Sequence, residues 1–441
     1  MQVSLTATGG LERRLEVAVP EQRVSTEVEQ RLKKLSRTAR LKGFRPGKAP
    51  YAVVRSQFGE QVHAEVVGDL MRATFAEALD QEKLTPAGGP RIEPITIEPG
   101  ADLKYAAVFE VLPDVKLKSV EGMALQRPTV AVSDADVDAM IESMRKQRSV
   151  FTAVERAAQD SDRLTIDYTG TVDGEALKDG EARDVHFILG EKKVWPEFEN
   201  ALRGAAPGQT RTVDSGFPAD HGNPQLAGKT AQFALTLKTV EAQSLPEVDE
   251  EFCRQFAVQE GGIDALRTEV RNSMTREVTE LVRQRLRTQV LDGLYRDNRF
   301  EVPRGMVDEQ IQQLQMDMAR RIGARDVSQL PGRENFEEPA KRRVALGLLL
   351  GELVRAESLK LDRERVLAKL SDLASSYPNP DEVRRAYLQS ADAMRQIESS
   401  VLEDQVIDRV IEKARIEERP VSFKELTGFG QVSDATRESP Q

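Results

Sequence analysis

Apolar residues recur along this chain with two periods, and the change from one period to the other predicts where helices and strands lie. Helical spacing of three or four predicts one helix over 24–39 and a second that begins near Pro50. Ahead of them, alternation on both sides of Gly9-Gly10 predicts a hairpin, because this pair tolerates the positive φ values of tight turns. Two further strands are predicted around Ile95–Ile97 and Leu103–Val111. We therefore expect an α+β unit here.

The pattern changes again after this unit. A connector carries a predicted strand at Thr129–Val132 and a helix that begins at Ser133, where Asp136 three residues later completes a capping box. Alternation between Leu164 and Tyr168 then predicts a compact β-rich insert, and helical spacing predominates after Pro246. Further helices are predicted at 304–320, 337–357, 362–374 and 381–413.

These changes predict a multidomain α+β architecture. The N-terminal domain is α+β, a β-rich domain is inserted after the connector, and the C-terminal domain is all-α. Beyond Phe423 the chain becomes polar and is expected to fray. The predicted boundaries are 1–115 for the N-terminal domain, 116–149 for a connector that packs with the C-terminal domain, 150–243 for the insert, 244–425 for the C-terminal domain and 426–441 for a polar tail.

The composition suits a helix-rich protein and argues against several classes. Charged residues make up 31% and hydrophobic residues 39% of the 441 residues, and the net charge of −10 disfavours a general nucleic-acid coat. The single cysteine, Cys253, allows no internal disulfide and favours a reducing compartment. The N-terminus lacks a continuous apolar stretch, and the run Val344–Leu350 is far shorter than the roughly 20 residues that span a bilayer. We therefore expect a cytoplasmic protein with no membrane partner.

No cofactor is expected from the sequence. The run Gly222–Thr230 resembles a phosphate-binding loop, but it has one residue too many before Gly-Lys-Thr. It also precedes strand-like alternation, whereas such a loop must open a helix. The chain has three histidines, His63, His186 and His221, and one cysteine, so no metal-ligand or Cys/His catalytic pattern is recognisable.

A basic run distinguishes the first domain. Nine Lys or Arg residues and no Asp or Glu lie between Arg31 and Arg55, in a chain that is acidic overall. The loop Gly43–Pro50 places Phe44 close to two cations and is bounded by helix-breaking residues, which favours an exposed tip between two helices. A merely solvated helix face, or a Phe44 buried against the hairpin, would explain the same residues.

This loop resembles the ribosome-docking signature of the trigger factor family. The matching residues are Gly43, Phe44, Arg45, Gly47 and Pro50. The resemblance implies docking on the large ribosomal subunit beside the polypeptide exit tunnel, on a ribosomal protein and nearby rRNA. Arg45 and Lys48 would meet acidic side chains or phosphates, and Phe44 would make a small apolar contact. Pro46 stands where the family often has a cation. The implied docking residues are Gly43, Phe44, Arg45, Gly47 and Lys48.

The insert resembles an FKBP-type prolyl isomerase in the order and spacing of three motifs. They are Thr165–Gly170, Phe187–Gly190 and Val194–Glu199. The resemblance implies a pocket that cradles proline and removes water from the X–Pro amide, so that no nucleophile is needed. The residues implied to line or border it are Tyr168, Phe187, Val194, Trp195, Phe198, His221 and Phe233. Leu177, Lys178 and Val185 depart from stand-alone FKBPs, which implies a reduced intrinsic rate. Aromatic residues at these spacings would also suit an ordinary small β core.

The C-terminal helices resemble the trigger factor family as well, most closely at Ala340–Glu352. The resemblance implies a helical body with two arm-like projections that form an apolar cradle for nascent and unfolded polypeptides, without ATP. It also allows a homodimer off the ribosome. The residues expected to contact clients are Met306, Ile311, Leu314 and Met318, because methionine adapts to varied partners. The same stripe would also suit ordinary core.

Three functions are compatible with these features. The first is an ATP-independent chaperone that docks at the ribosomal exit tunnel and carries an auxiliary peptidyl-prolyl cis-trans isomerase domain. The second is a free-standing isomerase whose helical flanks dimerise it. The third is an RNA-binding protein that uses the Arg31–Arg55 run, although more than one basic surface and stacking aromatic residues would then be expected.

Overall fold

The computed structural model describes residues 1–38, 41, 44, 50–217, 227–324, 326 and 329–429. The chain forms two compact units. The first comprises Met1–Leu125 and Arg287–Ile416, and the second comprises Gln126–Leu286 and the chain from Glu417 onward. Every helix within the described ranges is too short or too polar to span a bilayer.

The N-terminal part of the first unit is an antiparallel sheet with two helices packed against it. Its elements are β1 (Gln2–Gly9), β2 (Glu12–Val19), α1 (Glu21–Ser36), α2 (Tyr51–Glu82), β3 (Arg91–Thr96) and β4 (Leu103–Glu110). The strand order is β1-β2-β4-β3. Gly10 turns the hairpin with a φ of +48°, a conformation that favours glycine. Leu15, Val17 and Val19 lie on one face of β2 and are buried in the core shared with the helices. The predicted hairpin, the two helices and the strand at Leu103–Val111 are confirmed over the described residues, whereas the strand predicted around Ile95–Ile97 lies earlier, at Arg91–Thr96.

Helices make up the rest of the first unit. They are the second part of α6 (Gly262–Asp297), α7 (Arg304–Ile322), α8 (Glu334–Ala356), α9 (Arg363–Ser375), α10 (Pro380–Gln389) and α11 (Ala391–Lys413). α7 packs on α8 through a seam that buries Ile311 and Val344. α9 packs on α11 through a second seam that buries Leu370 and Val401. The first unit therefore buries its apolar stripes in separate pairs of helices.

The predicted helix over 381–413 is two helices. Ser390 ends α10 and also caps α11, because its hydroxyl accepts a hydrogen bond from the Ala393 amide at 3.3 Å. A serine side chain can replace the backbone partner that the first amides of a helix lack. The apolar residues before and after Ser390 follow nearly the same helical spacing, so this spacing alone does not predict that the helix breaks there.

One short strand accompanies the C-terminal helices. β11 (Arg415–Pro420) pairs with β5 (Ala124–Thr129), a strand of the connector. The connector strand thus lies ahead of the predicted Thr129–Val132. β11 carries one apolar residue, Ile416, so the sequence has no alternation of apolar and polar residues that would predict this strand.

In the second unit, the helix of the connector packs in the same apolar core as the last described residues of the chain. α3 (Asp134–Gln147) begins at Ser133 with the predicted capping box. It shares an apolar core with α5 (Glu250–Gln255), the first part of α6 and α12 (Phe423–Thr427). Phe423 is 2% exposed, and Phe429 packs against the same core. This corrects the predicted boundary of the polar tail at 426, because packed chain continues to Phe429.

The insert lies within the second unit and is built around one long strand. Its elements are β6 (Val150–Val154), β7 (Arg163–Val172), β8 (Glu175–Ile188), α4 (Pro196–Leu202), β9 (Thr210–Gly216) and β10 (Thr230–Ser244). The sheet order is β6-β10-β7-β8, and β9 also pairs with β10. β10 begins at Thr230, directly after Gly228-Lys229, so the strand that the sequence predicts after this run is confirmed.

The insert joins its surroundings through a two-stranded neck. Val150, where β6 begins, is the cross-strand partner of Ser244, where β10 ends. The neighbouring side chains reinforce this pairing, since Gln243 Nε2 donates to Ser149 Oγ at 3.1 Å. Arg145 Nε donates to the Pro246 carbonyl at 2.8 Å. The two chain ends of the insert are therefore adjacent.

Phe423→Ala should destabilise the second unit. Removal of a buried phenylalanine leaves a cavity and costs about 3–5 kcal/mol. We expect a lower midpoint of urea unfolding, followed by circular dichroism. Phe44→Ala is the matched control, because Phe44 is 40% exposed and surface substitutions change stability by about 0.5 kcal/mol or less. Equal midpoints for the two variants would show that α12 contributes nothing to this core.

Candidate functional site

Three aromatic rings meet in the core of the insert. The ring centroids of Trp195, Phe198 and Phe233 lie 5.1 to 5.2 Å from one another. Phe198 is 3% and Phe233 1% exposed, whereas Trp195 is partly exposed. Tyr168 adds a fourth ring, 5.7 Å from Phe198 and 6.1 Å from Phe233. The arrangement is a buried aromatic base with an indole that solvent can reach.

The secondary structure places each of these rings. Tyr168 and Phe233 lie on adjacent strands, because β7 and β10 pair with Phe233 opposite Gly170. A Cβ at Gly170 would lie 2.5 Å from Phe233 Cε1, so glycine is what lets this ring lie across β7. Trp195 caps α4 and Phe198 lies in its first turn, since the Trp195 carbonyl accepts from the Phe198 amide at 2.9 Å.

The other residues predicted for the pocket belong to the same apolar cluster where they are described. Phe187 is 6% exposed, and Val194 packs against the cluster from its edge. His221 lies outside the described residues. Leu177 and Val185, which depart from the FKBP pattern, also pack against the cluster. Six of the seven predicted residues are thus brought together.

One aromatic neighbour of the pocket was missed. Phe217 follows β9, and its ring lies 5.8 Å from Trp195 with an interplanar angle of 85°. It packs against the same cluster and is partly exposed. One feature of the sequence could have identified Phe217: it is an aromatic residue between Gly216 and Pro218, at the end of a segment in which apolar and polar residues alternate.

The six predicted residues in this cluster carry no charge at neutral pH. Burial raises the pKa of the Tyr168 hydroxyl, so the hydroxyl stays protonated at neutral pH. The remaining predicted side chains in the described cluster are aromatic or aliphatic. Such walls can hold a proline ring and exclude water from the adjacent amide, whose rotation faces a barrier of about 18–20 kcal/mol. Rotation breaks no covalent bond, so an environment that favours the twisted amide is sufficient for catalysis.

The docking loop is described only in part. Phe44 is 40% exposed, and its amide donates to the Leu41 carbonyl at 3.1 Å. Its side chain is therefore available at the surface. The other predicted docking residues, Gly43, Arg45, Gly47 and Lys48, lie outside the described residues.

Part of the basic run is paired with acidic residues of the same domain. Arg31 donates to Asp69 at 2.8 Å and Lys33 lies 2.6 Å from Glu29. Hydrogen bonds from Arg31 and Arg72 hold the pKa of Asp69 below its usual value. Exposed pairs of this kind contribute little to stability. Acidic neighbours thus partly neutralise the cations of α1.

The predicted client stripe is divided between core and surface. Ile311 is 1% exposed and belongs to the seam between α7 and α8, whereas Met306, Leu314 and Met318 are partly buried against that seam. Contact between Ile311 and a client would therefore require α7 and α8 to separate.

More exposed apolar side chains lie elsewhere on the helices and were not predicted. Their exposed fractions range from 41% to 57%. They include Met316 and Ile322 of α7, Leu367 and Leu373 of α9, Tyr377 just after α9, and Leu388 of α10. α10 buries none of its residues, although its sequence is amphipathic. These helices therefore offer apolar side chains to solvent, which a folded core would otherwise enclose.

Three ranges of the chain match known protein families. Residues 1–144 match the family model described as bacterial trigger factor protein, and 262–412 match the model of its C-terminus. Residues 154–238 match FKBP-type peptidyl-prolyl cis-trans isomerase.

Whole-chain relatives extend the comparison. A trigger factor of Stutzerimonas stutzeri is 42% identical over 99% of this chain and 100% of its own length. A trigger factor of Halorhodospira halophila is 44% identical over 97% of this chain and 98% of its own length. A solved structure described as "Promiscuous Substrate Recognition in Folding and Assembly Activities of the Trigger Factor Chaperone" has a TM-score of 0.51 at 16% identity and covers 93% of this chain and 99% of that one. Identity of 42% and 44% over nearly the full length of both chains shows that this chain belongs to the trigger factor family.

Proposed function

We propose that this chaperone docks at the ribosomal exit tunnel, binds nascent polypeptides on apolar surfaces of its C-terminal helices, and isomerises X–Pro bonds in its insert. The observation that carries the proposal is that one chain combines a cluster of buried and partly exposed aromatic side chains with helices that leave large apolar side chains exposed. The pocket suits one proline ring, and the helices suit many different apolar segments.

Client binding needs no nucleotide in this proposal. Unfolded chains expose apolar surface, and contact with Leu367, Leu388 and their neighbours would remove part of it from water. Scattered single side chains give weak contacts, so clients dissociate readily. Folding of the client then buries the surface that the helices bind. Off the ribosome, the same surfaces would favour a homodimer.

Isomerisation is assigned to the aromatic cluster of the insert. Trp195 is partly exposed above Phe198 and Phe233, so a proline ring can reach an apolar site that excludes water from its amide. The uncharged walls favour the twisted amide, which has lost its conjugation, over the planar and more polar ground state.

Ribosome docking is assigned to the loop that contains Phe44. Its exposed side chain lies between α1 and α2, within the basic run of the first domain. An aromatic residue beside cations suits a surface that combines acidic side chains, phosphates and a small apolar contact. The protein would accordingly be cytoplasmic and in part ribosome-bound.

A free-standing isomerase with dimerising flanks is the second candidate. The exposed apolar residues of α9 and α10 would then meet a second copy of the chain. The two proposals differ in their partners. The first requires binding to ribosomes and unfolded polypeptides, and the second requires only self-association.

Replacement of Phe44, Arg45 and Lys48 together by Ala should abolish co-sedimentation with ribosomes at physiological salt. Helix content and peptide isomerisation should be unchanged, because the substituted residues lie in sequence between α1 and α2 and far from the insert. Wild-type binding should weaken as salt is added, since charge pairs are screened over about 8 Å at physiological ionic strength. Undiminished co-sedimentation of the triple variant would refute the docking assignment.

Phe198→Leu should reduce kcat/KM for a peptide with one X–Pro bond by about tenfold, which corresponds to the loss of about 1.4 kcal/mol of transition-state stabilisation. Leucine removes the ring while it retains most of the apolar volume, so the insert should still fold. Val150→Ala is the control, because Val150 is 64% exposed and pairs with Ser244, the last residue of β10. A peptide isomerisation assay that gives equal rates for all three proteins would contradict the assignment of this pocket.

Excision of 150–243 should leave a folded chaperone without isomerase activity. Val150 and Ser244 are cross-strand partners, so a Gly/Ser linker of about four residues can rejoin the ends. Circular dichroism should show the helices intact, and light scattering should show that a proline-poor client is still protected from aggregation. If the excised protein folds and fails to protect that client, the isomerase-centred alternative is favoured.

A further inference from the structure

Trp195 has a fixed backbone and a partly exposed side chain. Its carbonyl accepts hydrogen bonds from the amides of Phe198 and Glu199, at 2.9 and 3.2 Å, as it caps α4. It also precedes Pro196, which restricts its backbone to extended conformations. The indole itself is partly exposed. Its orientation therefore depends on the side chains that contact it.

The aromatic contacts of Trp195 are of two kinds. Phe198 and Phe233 are buried and contact each other at 5.2 Å, so the core of the insert fixes them whether or not Trp195 is present. Phe217 is partly exposed and meets the indole nearly edge to face, at 5.8 Å and 85°. It is thus a rim residue that contacts the indole.

The backbone of Phe217 is held in the sheet. Its amide donates to the Lys229 carbonyl at 2.9 Å, which continues the β9/β10 ladder one step beyond the Gly216–Thr230 pair. The ring therefore projects from a fixed strand end, in the way that Trp195 projects from a fixed helix start. The Trp195–Phe217 ring contact thus joins the start of α4 to the end of β9.

We propose that Phe217 is a positioning residue of the proline pocket, which holds the Trp195 indole against the bound proline and so sets the affinity for X–Pro peptides. The inference rests on the proposed isomerase function of the insert. An indole that packs on the pyrrolidine ring keeps that contact while the preceding amide rotates, because the ring stays in the pocket. Such a contact stabilises the ground state and the transition state equally. Its loss raises KM and leaves kcat unchanged.

The chain carries its own reporter for this test. Trp195 is its single tryptophan, so selectively excited tryptophan fluorescence reports on this indole alone. We would titrate the full-length protein with a short peptide that contains one Leu-Pro bond, and measure Kd from the emission and KM and kcat from an isomerisation assay.

Phe217→Leu should raise Kd and KM by about two- to tenfold, the factor that corresponds to an edge-to-face aromatic pair. Its kcat should stay within a factor of about two, as expected for uniform binding. The emission of the free protein should shift, because the indole loses a neighbour. Phe217→Tyr keeps the ring and should restore all three values, while Val150→Ala on β6 should change none of them, because Val150 is 64% exposed. If Phe217→Leu does not fold, Phe217→Met fills a similar volume without a ring.

Two results would overturn the inference. One is a ringless variant with wild-type Kd, KM and emission. The other is a variant whose kcat falls while KM is unchanged, which would place Phe217 in the chemistry or in general stability. A wild-type protein that binds the peptide without isomerising it would instead refute the isomerase proposal, and Kd would still decide the role of Phe217. A wild-type emission that does not respond to the peptide would refute the contact between Trp195 and proline.

Discussion

The insert depends on a single antiparallel strand pair, since β6 and β10 carry the chain into and out of it. Val150 and Ser244 face each other in this pair, which places the two chain ends about 5 Å apart. β10 then continues into the pocket, where Phe233 lies opposite Gly170. One strand therefore both closes the neck and carries part of the aromatic base. A domain attached in this way can fold on its own core, and its removal leaves the surrounding helices connected.

The insert has charged residues both at its surface and inside, where Asp162 is 3% exposed and pairs with Arg156 at 2.6 Å. The aromatic base is uncharged, whereas ion pairs such as Arg163–Glu241, at 2.6 Å, lie toward the outside. Arg163 also stacks over Phe151, with its guanidinium 4.4 Å from the ring centroid. Hydrogen bonding from Arg163 lowers the pKa of Glu241. The Arg163–Glu241 pair thus links β7 to β10.

Some apolar residues of the C-terminal helices are buried between helices, and others are exposed to solvent. In α7 and α8 the stripe is used for packing, and Ile311 is enclosed. In α9 and α10 large side chains such as Leu367 and Leu388 stay in water although the helices are amphipathic. Exposed apolar groups are common singly on folded surfaces, but their repetition along adjacent helices suits a protein that binds other chains. The stability of these helices must therefore come from the seams, such as the α9–α11 contact around Leu370.

The sequence by itself determined the periodic elements and the chemistry of the pocket. The hairpin at Gly9-Gly10 and the capping box at Ser133 depend on residues close in the chain, so local pattern was sufficient for them. The aromatic motifs likewise placed six pocket residues in one cluster. Only the tertiary structure decided features that depend on distant partners. β11 exists because β5 lies beside it, Phe423 is core because three helices enclose it, and Phe217 meets Trp195 because β9 ends where α4 begins. Periodicity records which face of an element is buried, and it carries no information about which element will cover that face.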